Sequence, residues 1–317
     1  QSGKTTLARE LARASRAHFF DLEDGADLSR LDNPRLALEG LEGLVVLDEV
    51  QRRPDLFPLL RVLTDRPRNP ARFLLLGSAS PRLVRGVSES LAGRVSLLEI
   101  GGFDLDEAGP GRMRRLWLRG GLPRSFLAPS EARSMRWRGN FIGTFLERDI
   151  PQLGISIPAA ALRRFWTMVA HYHGQVWNAA EFARSIGSSE PTARRYLDLL
   201  SGAFVVRQLQ PWFENMGKRQ VKAPKVYVRD SGLLHALLSL GKMRDLEAHP
   251  KYGASWEGFA LEQVLSLLKP RDTYFWGTHG GAELDLLIFK DGRRIGFEFK
   301  CEDAPRMTKS MRTALSD

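Results

Sequence analysis

One cysteine, Cys301, stands among 317 residues. A lone thiol excludes an internal disulfide and a cysteine-rich zinc site, and it agrees with a reducing compartment. Long apolar runs are missing as well: none approaches the ~20 residues of a membrane-spanning helix. The first residues lack the charged, apolar and small-residue sections of a secretory signal. With 43% hydrophobic and 26% charged residues, the composition is not that of a disordered chain. These absences predict a soluble, cytoplasmic protein with no membrane partner, long enough for two or three domains. Histidine clusters are lacking too. His171 and His173 have no third ligand nearby and read as polar or packing residues.

The charge is present but unevenly spread. The net +10 divides into −2 over residues 1–110 (15 Lys/Arg, 17 Asp/Glu), +13 over 111–245 (22 and 9) and −1 over 246–317 (10 and 11). A basic excess confined to the middle of a chain attracts phosphate backbones through counterion release. Solvated arginine-rich helices are the plainer account, and charge alone does not separate the two.

The strongest motif comes first. Gln1-Ser2-Gly3-Lys4-Thr5-Thr6 matches the second half of the phosphate-binding pattern G-x-x-x-x-G-K-[ST] and runs into a helix over Thr5 to Ala14. In that pattern backbone N–H groups at the helix N-terminus cradle the phosphates, the lysine reaches the β/γ-phosphates and the hydroxyl holds Mg²⁺. Gly3, Lys4, Thr5 and Thr6 are the nucleotide-binding candidates, with Thr5 also a metal ligand. The first glycine and its strand would precede Gln1, so the sequence reads as beginning inside the motif. Four residues also describe a solvated turn, and what lies downstream decides. Ala17 to Leu22 reads as a short buried strand. Leu44-Val45-Val46-Leu47 is a run of β-formers closed by Asp48 and Glu49. An uninterrupted apolar run suits a parallel strand buried on both faces, with the carboxylates at the edge where α/β sheets bind ligands. Asp48 would hold Mg²⁺, and Glu49 would polarise the water that attacks the γ-phosphate. A third strand over Arg72–Ser78 ends on Ser78, a γ-phosphate sensor candidate. Residues 91–100 predict a loop and a fourth strand, and Arg94 is a phosphate-binding candidate that would act as an arginine finger in the same chain or in a neighbour.

Together with Val50-Gln51-Arg52, Leu76-Gly77-Ser78-Ala79-Ser80, Ser88-Glu89-Ser90-Leu91-Ala92-Gly93-Arg94, Gly120-Gly121-Leu122-Pro123 and Phe145-Leu146-Glu147-Arg148-Asp149-Ile150, these motifs resemble the AAA-type ATP-binding proteins of bacteria and archaea. Those proteins carry a C-terminal domain of unknown function similar to PD-(D/E)xK nucleases. The resemblance implies a parallel sheet of strand order 5-1-4-3-2, with ATP and Mg²⁺ as cofactors. It also implies that the chain lacks the first strand and is cut at both ends.

Residues 109–155 read as a linker and helices, the helical lid over the nucleotide. Farther on, Ala159 to His173 predicts a helix, Asn178–Arg184 a shorter one, and Ser189 an N-cap for a helix with Pro191 in its first turn and running to Leu200. An apolar strand at 204–209 and the basic loop 218–222 complete a winged-helix outline. Thr192, Arg194 and Arg195 near the second helix start, and Lys218, Arg219 and Lys222 in the loop, are the nucleic-acid-binding candidates. Protein docking or a structural role is the alternative.

The last segment predicts a helix from Ser255 to Leu268 bearing Glu257, a strand at 273–276, and a hairpin of two strands turning at Lys290-Asp291-Gly292. Asp285, Glu298 and Lys300 would share one side of that hairpin. This is the D…E-x-K arrangement of a nuclease-like site, in which Asp285 and Glu298 bind Mg²⁺ and Lys300 helps position the attacking water. Glu257 is a candidate for a further ligand. The polar tail after Lys300 reads as stopping short of a further helix and strand.

The expected fold class is α/β. It comprises a P-loop parallel sheet domain (1–108), the helical lid (109–155), a winged-helix domain (156–245) and an α/β PD-(D/E)xK-like domain (246–317). The leading expectation is an ATPase that couples ATP binding and hydrolysis to a DNA-binding winged helix and nuclease-like domain. A nucleotide-gated, metal-dependent DNA endonuclease and a non-hydrolysing regulator are the alternatives. The partner expected is nucleic acid, with DNA as the target, and an arginine finger in trans would add a homo-oligomer.

Overall fold

The computed structural model describes residues 2–15, 17–67, 70–77, 86–87, 89–152, 157–212, 223–278 and 281–316. The chain forms two compact units, Gln1–Ile100 and Gly101–Asp317.

In the first unit, α1 (Lys4–Arg13) leads through three residues into β1 (Ala17–Asp21). Two short helices, α2 (Gly25–Arg30) and α3 (Pro34–Glu39), precede β2 (Gly43–Asp48). Helix α4 (Leu56–Thr64) then crosses to β3 (Ala71–Leu75). The strands are parallel in the order β1-β2-β3, with Leu47 opposite Phe20 on one side and Leu75 on the other. That order agrees with the second, third and fourth strands of the family arrangement. The apolar run of β2 is continuous because both of its faces are covered. Val45 and Leu47 pack with Phe20, Leu56, Leu60 and Leu63, while Val46 packs with Ala8 of α1 and Leu76. The expected fourth strand is corrected: residues 95–100 form no strand, and Leu97 and Leu98 are exposed. β-formers become a strand only where a neighbour offers a hydrogen-bond ladder, and the three described strands of this unit offer none to this segment.

The second unit begins with α5 (Leu105–Ala108), α6 (Met113–Arg119), α7 (Pro123–Phe126) and α8 (Glu131–Thr144). Helix α8 widens into a π turn over Phe145–Asp149. Then come α9 (Ala159–His171), β4 (Gln175–Val176), α10 (Ala179–Ile186), α11 (Glu190–Gly202), β5 (Val206–Pro211) and β6 (Lys225–Val228). After them follow α12 (Ser231–Leu237), α13 (Met243–Glu247), α14 (Tyr252–Leu268), β7 (Asp272–Gly277), β8 (Glu283–Lys290), β9 (Arg293–Phe297) and α15 (Lys309–Ser316). The expected lid helices are built into this unit's main core, where Leu116, Trp117, Phe145 and Leu146 join Phe165, Trp166 and Leu234.

One six-stranded sheet, ordered β4-β6-β5-β7-β8-β9, runs through both the 156–245 and the 246–317 segments. β5 pairs antiparallel with β6 and parallel with β7, so the joint is made of backbone hydrogen bonds. Glu262 of α14 reinforces it by pairing with Arg207 of β5 at 2.9 Å and Arg229 at 3.4 Å. Burial works to raise the Glu262 carboxyl, but the two guanidinium groups outweigh it and hold it below its ordinary value. The β8–β9 turn is the expected Asp-Gly pair, with Asp291 at φ 51° and Gly292 at φ 72°, the left-handed pair that matches strand twist in a two-residue hairpin.

A polar knot explains the Gly120-Gly121 motif. Asp230 caps α12 by accepting from the Leu233 N–H at 2.8 Å, and its other oxygen accepts from the Gly121 N–H at 2.9 Å. Gly120, at φ 74°, lies so close that a Cβ there would stand 2.1 Å from the Asp230 carboxylate. Arg138, fully buried, donates to the carbonyls of Leu118 and Gly232 at 3.1 and 2.9 Å, and burial lowers its pKa to about 10.

Candidate functional site

The helix α1 starts at Gly3, whose φ of 94° and ψ of 9° are left-handed values that glycine adopts without strain. No side chain caps this N-terminus, and its first turn holds no acidic residue. By contrast α2, α3, α8 and α11 are each closed by an Asp, Asn or Ser side chain. The first-turn N–H groups of α1 are thus open to an anion, which the helix dipole favours. Their direction follows from topology. Since only residues 14–16 join α1 to the start of β1, the helix runs back from the C-terminal edge of the sheet, and Ala8 packs on Val46 and Leu76. Lys4 and Thr5, one turn earlier, therefore stand at that edge.

Asp48 and Glu49 emerge at the same edge. Asp48 is only 4% exposed, and its Oδ1 accepts the N–H of Glu49 at 3.0 Å. Glu49 is held left-handed, with φ 56° and ψ 44°. A non-glycine residue pays of order 1 kcal/mol or more for this conformation, and such strain persists where the surroundings over-determine it. Here the next residue, Val50, is tied through its N–H to the carbonyl of Leu76 at 2.9 Å, and Gln51 Nε2 donates to the Glu49 carboxylate. Gln51 is a partner that sequence reading missed; its place two residues after Glu49 was the available signal. These residues fit a nucleotide and its metal: open amides, a lysine and a hydroxyl at the start of the helix, and two carboxylates at the same edge of the sheet. Thr6 is exposed.

Arg94 does not join this group. Its Nε donates to Asp65 at 2.6 Å, and Asp65 ends α4 at the edge where β3 begins, opposite to Asp48. Ser78 lies outside the described residues, as do Lys218, Arg219 and Lys222.

The D…E-x-K residues of the second unit take partners that sequence reading did not foresee. Lys225 of β6, 2% exposed, carries its ammonium 3.4 Å from Glu257 Oε1 and 3.5 Å from Asp285 Oδ1, and it also pairs with Glu283. Burial works against the charged lysine, but the carboxylates of Glu257, Glu283 and Asp285 prevail and keep it above the ordinary lysine range. Tyr227 donates its hydroxyl to Glu257 Oε1 at 2.6 Å, and the Phe299 N–H donates to Asp285 Oδ2 at 2.8 Å. Desolvation, opposed by Lys225, leaves the Glu257 carboxyl above its usual value. Lys300 pairs with Glu298 Oε1 at 2.9 Å, while Glu298 Oε2 is buried without a partner among the described residues. The three expected metal ligands Glu257, Asp285 and Glu298 are shared between two lysines. Glu257 and Asp285 turn onto Lys225 and Glu298 onto Lys300, and among the described residues no three His, Cys, Asp or Glu side chains gather as metal ligands. His173 is buried in packing: its Nδ1 accepts the Val228 N–H at 2.9 Å, and desolvation lowers its pKa to about 3.

On α11, Ser189 accepts the Thr192 N–H as the expected cap, and Thr192 spends its hydroxyl on Ser189. Arg194 and Arg195 are exposed, Arg194 with a loose 3.7 Å approach to Glu190. Arg184 of α10 is exposed as well.

Comparison with known proteins divides the chain in three. Residues 1–109 match the family described as AAA domain, residues 111–244 a domain of unknown function (DUF8612), and residues 252–317 a domain of unknown function (DUF4143). The chain is 56% identical over 317 residues to "Uncharacterized protein Rv2008c" of Mycobacterium tuberculosis (strain ATCC 25618 / H37Rv), covering 100% of this chain and 72% of that protein. The same values hold for "Uncharacterized protein Mb2031c" of Mycobacterium bovis (strain ATCC BAA-935 / AF2122/97). No solved structure matches. Among the described residues no helix is long and apolar enough to cross a membrane.

Proposed function

We infer that this chain, which belongs to the family of the mycobacterial proteins Rv2008c and Mb2031c and matches an AAA domain over residues 1–109, hydrolyses ATP in its first unit and binds duplex DNA through its second. The observation that carries the ATPase reading is that the uncapped α1 N-terminus lies at the same edge of a parallel sheet as Asp48 and Glu49. ATP supplies the transferable γ-phosphoryl group, with Mg²⁺ as its counter-charge. Lys4 and the first-turn amides of α1 would bind the phosphates, Thr5 and Asp48 would hold the metal, and Glu49 would take the proton of the attacking water.

Support for the DNA reading is of a different kind. The order α9-β4-α10-α11-β5-β6, with the antiparallel arrangement β4-β6-β5, supports a winged-helix reading. Its second helix exposes Arg194 and Arg195 in the basic third of the chain. Titration of a fluorescent duplex at several salt concentrations tests it. Arg194→Ala with Arg195→Ala is expected to weaken binding and to flatten the slope of log K against log salt by about 2, roughly one for each phosphate no longer neutralised. Equal affinity and slope in the double variant would remove α11 from the DNA interface.

A further inference from the structure

The D…E-x-K pattern raises the question of what cation its carboxylates serve. Lys225 answers from a strand that the pattern does not include. In the sheet order β6-β5-β7-β8, two strands separate Lys225 from Glu283 and Asp285, yet its side chain crosses that gap above the ring of Phe275, 5.7 Å from the ring centroid. Glu283 and Asp285, two residues apart on β8, share one face. Glu257 arrives from α14.

We propose that Lys225 is the resident cation of the Glu257–Glu283–Asp285 cluster, and that it excludes a divalent metal from this nuclease-like site. Mg²⁺ requires oxygens at about 2.0–2.1 Å in a near-octahedral shell. Both inward oxygens, Glu257 Oε1 and Asp285 Oδ1, already face the ammonium at 3.4 and 3.5 Å. A metal on those oxygens would stand against a buried positive charge. Two further donors reach these carboxylates: Tyr227 donates to Glu257 Oε1 and the Phe299 N–H to Asp285 Oδ2. The residues do not fit a metal, and no metal-assisted cleavage follows from them. The lysine instead ties β6 to α14 and β8, so the cluster joins the strand β6 to the C-terminal hairpin. None of this depends on the ATPase reading.

The experiment is a Mn²⁺ titration of the nucleotide-free full chain, followed by the electron paramagnetic resonance of free Mn²⁺, with Asp285→Asn as comparator. The expected result is the same Mn²⁺ binding in the wild type and in Asp285→Asn, with no Mn²⁺-dependent nicking of supercoiled plasmid by either. Saturable binding or nicking by the wild type that Asp285→Asn abolishes would overturn the proposal, whatever the variants of Lys225 do. A Lys225→Met chain carries the positive arm: it is expected to gain a single bound Mn²⁺ that Asp285→Asn removes again, with a rise in thermal midpoint on adding Mn²⁺. Should Lys225→Met fold and still take no additional Mn²⁺, the lysine is not what excludes the metal and the proposal falls. Should it fail to fold, the wild-type titration and nicking assay decide alone.

Discussion

Glu49→Gln is expected to bind ATP as the wild type does and to turn it over about 10²–10⁴-fold more slowly, the usual contribution of a positioned general base. The amide keeps the size of the side chain and its place beside Gln51, so the sheet edge should hold its shape. What it loses is the capacity to accept a proton. The left-handed backbone at φ 56° fixes where the carboxylate stands, immediately after buried Asp48. Separate measurement of ATP affinity and of single-turnover hydrolysis distinguishes loss of chemistry from loss of binding. Hydrolysis by Glu49→Gln at the wild-type rate would assign the base to another residue.

Gly232→Ala is the largest structural lesion that the fold predicts. A Cβ on Gly232 would stand 2.0 Å from the carbonyl oxygen of Arg119, 2.3 Å from its carbon and 2.7 Å from the nitrogen of Gly120. All three are backbone atoms that cannot swing aside, and Asp230 and Arg138 pin the same segment by hydrogen bonds. Overpacking of this kind costs about 3 kcal/mol or more. For a unit of this size it lowers the melting midpoint by roughly 6–12 °C. All seven tryptophans lie beyond residue 100, so intrinsic tryptophan fluorescence reports the second unit alone. Gly139→Ala is the control. It sits inside α8 with open space around it, and there alanine should stabilise by up to about 1 kcal/mol. Midpoints for Gly232→Ala within about 2 °C of the wild type, against the larger drop expected, would mean that α12 can shift away from α6 at little cost.

The first unit was legible because its signals are local. Leu44 to Leu47 is covered on both faces, which writes an unbroken apolar run, and the chain direction then carries Asp48 and Glu49 to the strand end. The Asp291-Gly292 turn was equally plain, since few residue pairs adopt two left-handed conformations in succession. Residues 95–100 misled because their β-formers say nothing about a partner strand. The lysine cluster was hidden for a related reason. Lys225 follows the basic stretch 218–222 closely in sequence and counts as one more positive charge, whereas its ion pairs are with carboxylates 32 to 60 residues away. Its one local sign is that it opens a strand, Lys225–Val228, in which all four residues are buried. Charge counting overstates the exposed basic surface for the same reason. Arg119 and Arg138, part of the +13 excess, are inside the second unit, on Glu131 and on backbone carbonyls.

The most direct test of the coupled ATPase is phosphate release from ATP in the presence of Mg²⁺ by the full chain, with and without duplex DNA, and with Lys4→Ala in parallel. Hydrolysis is predicted to rise when duplex is added and to disappear in Lys4→Ala. Phosphate release that persists unchanged in Lys4→Ala, or none under either condition, would contradict it.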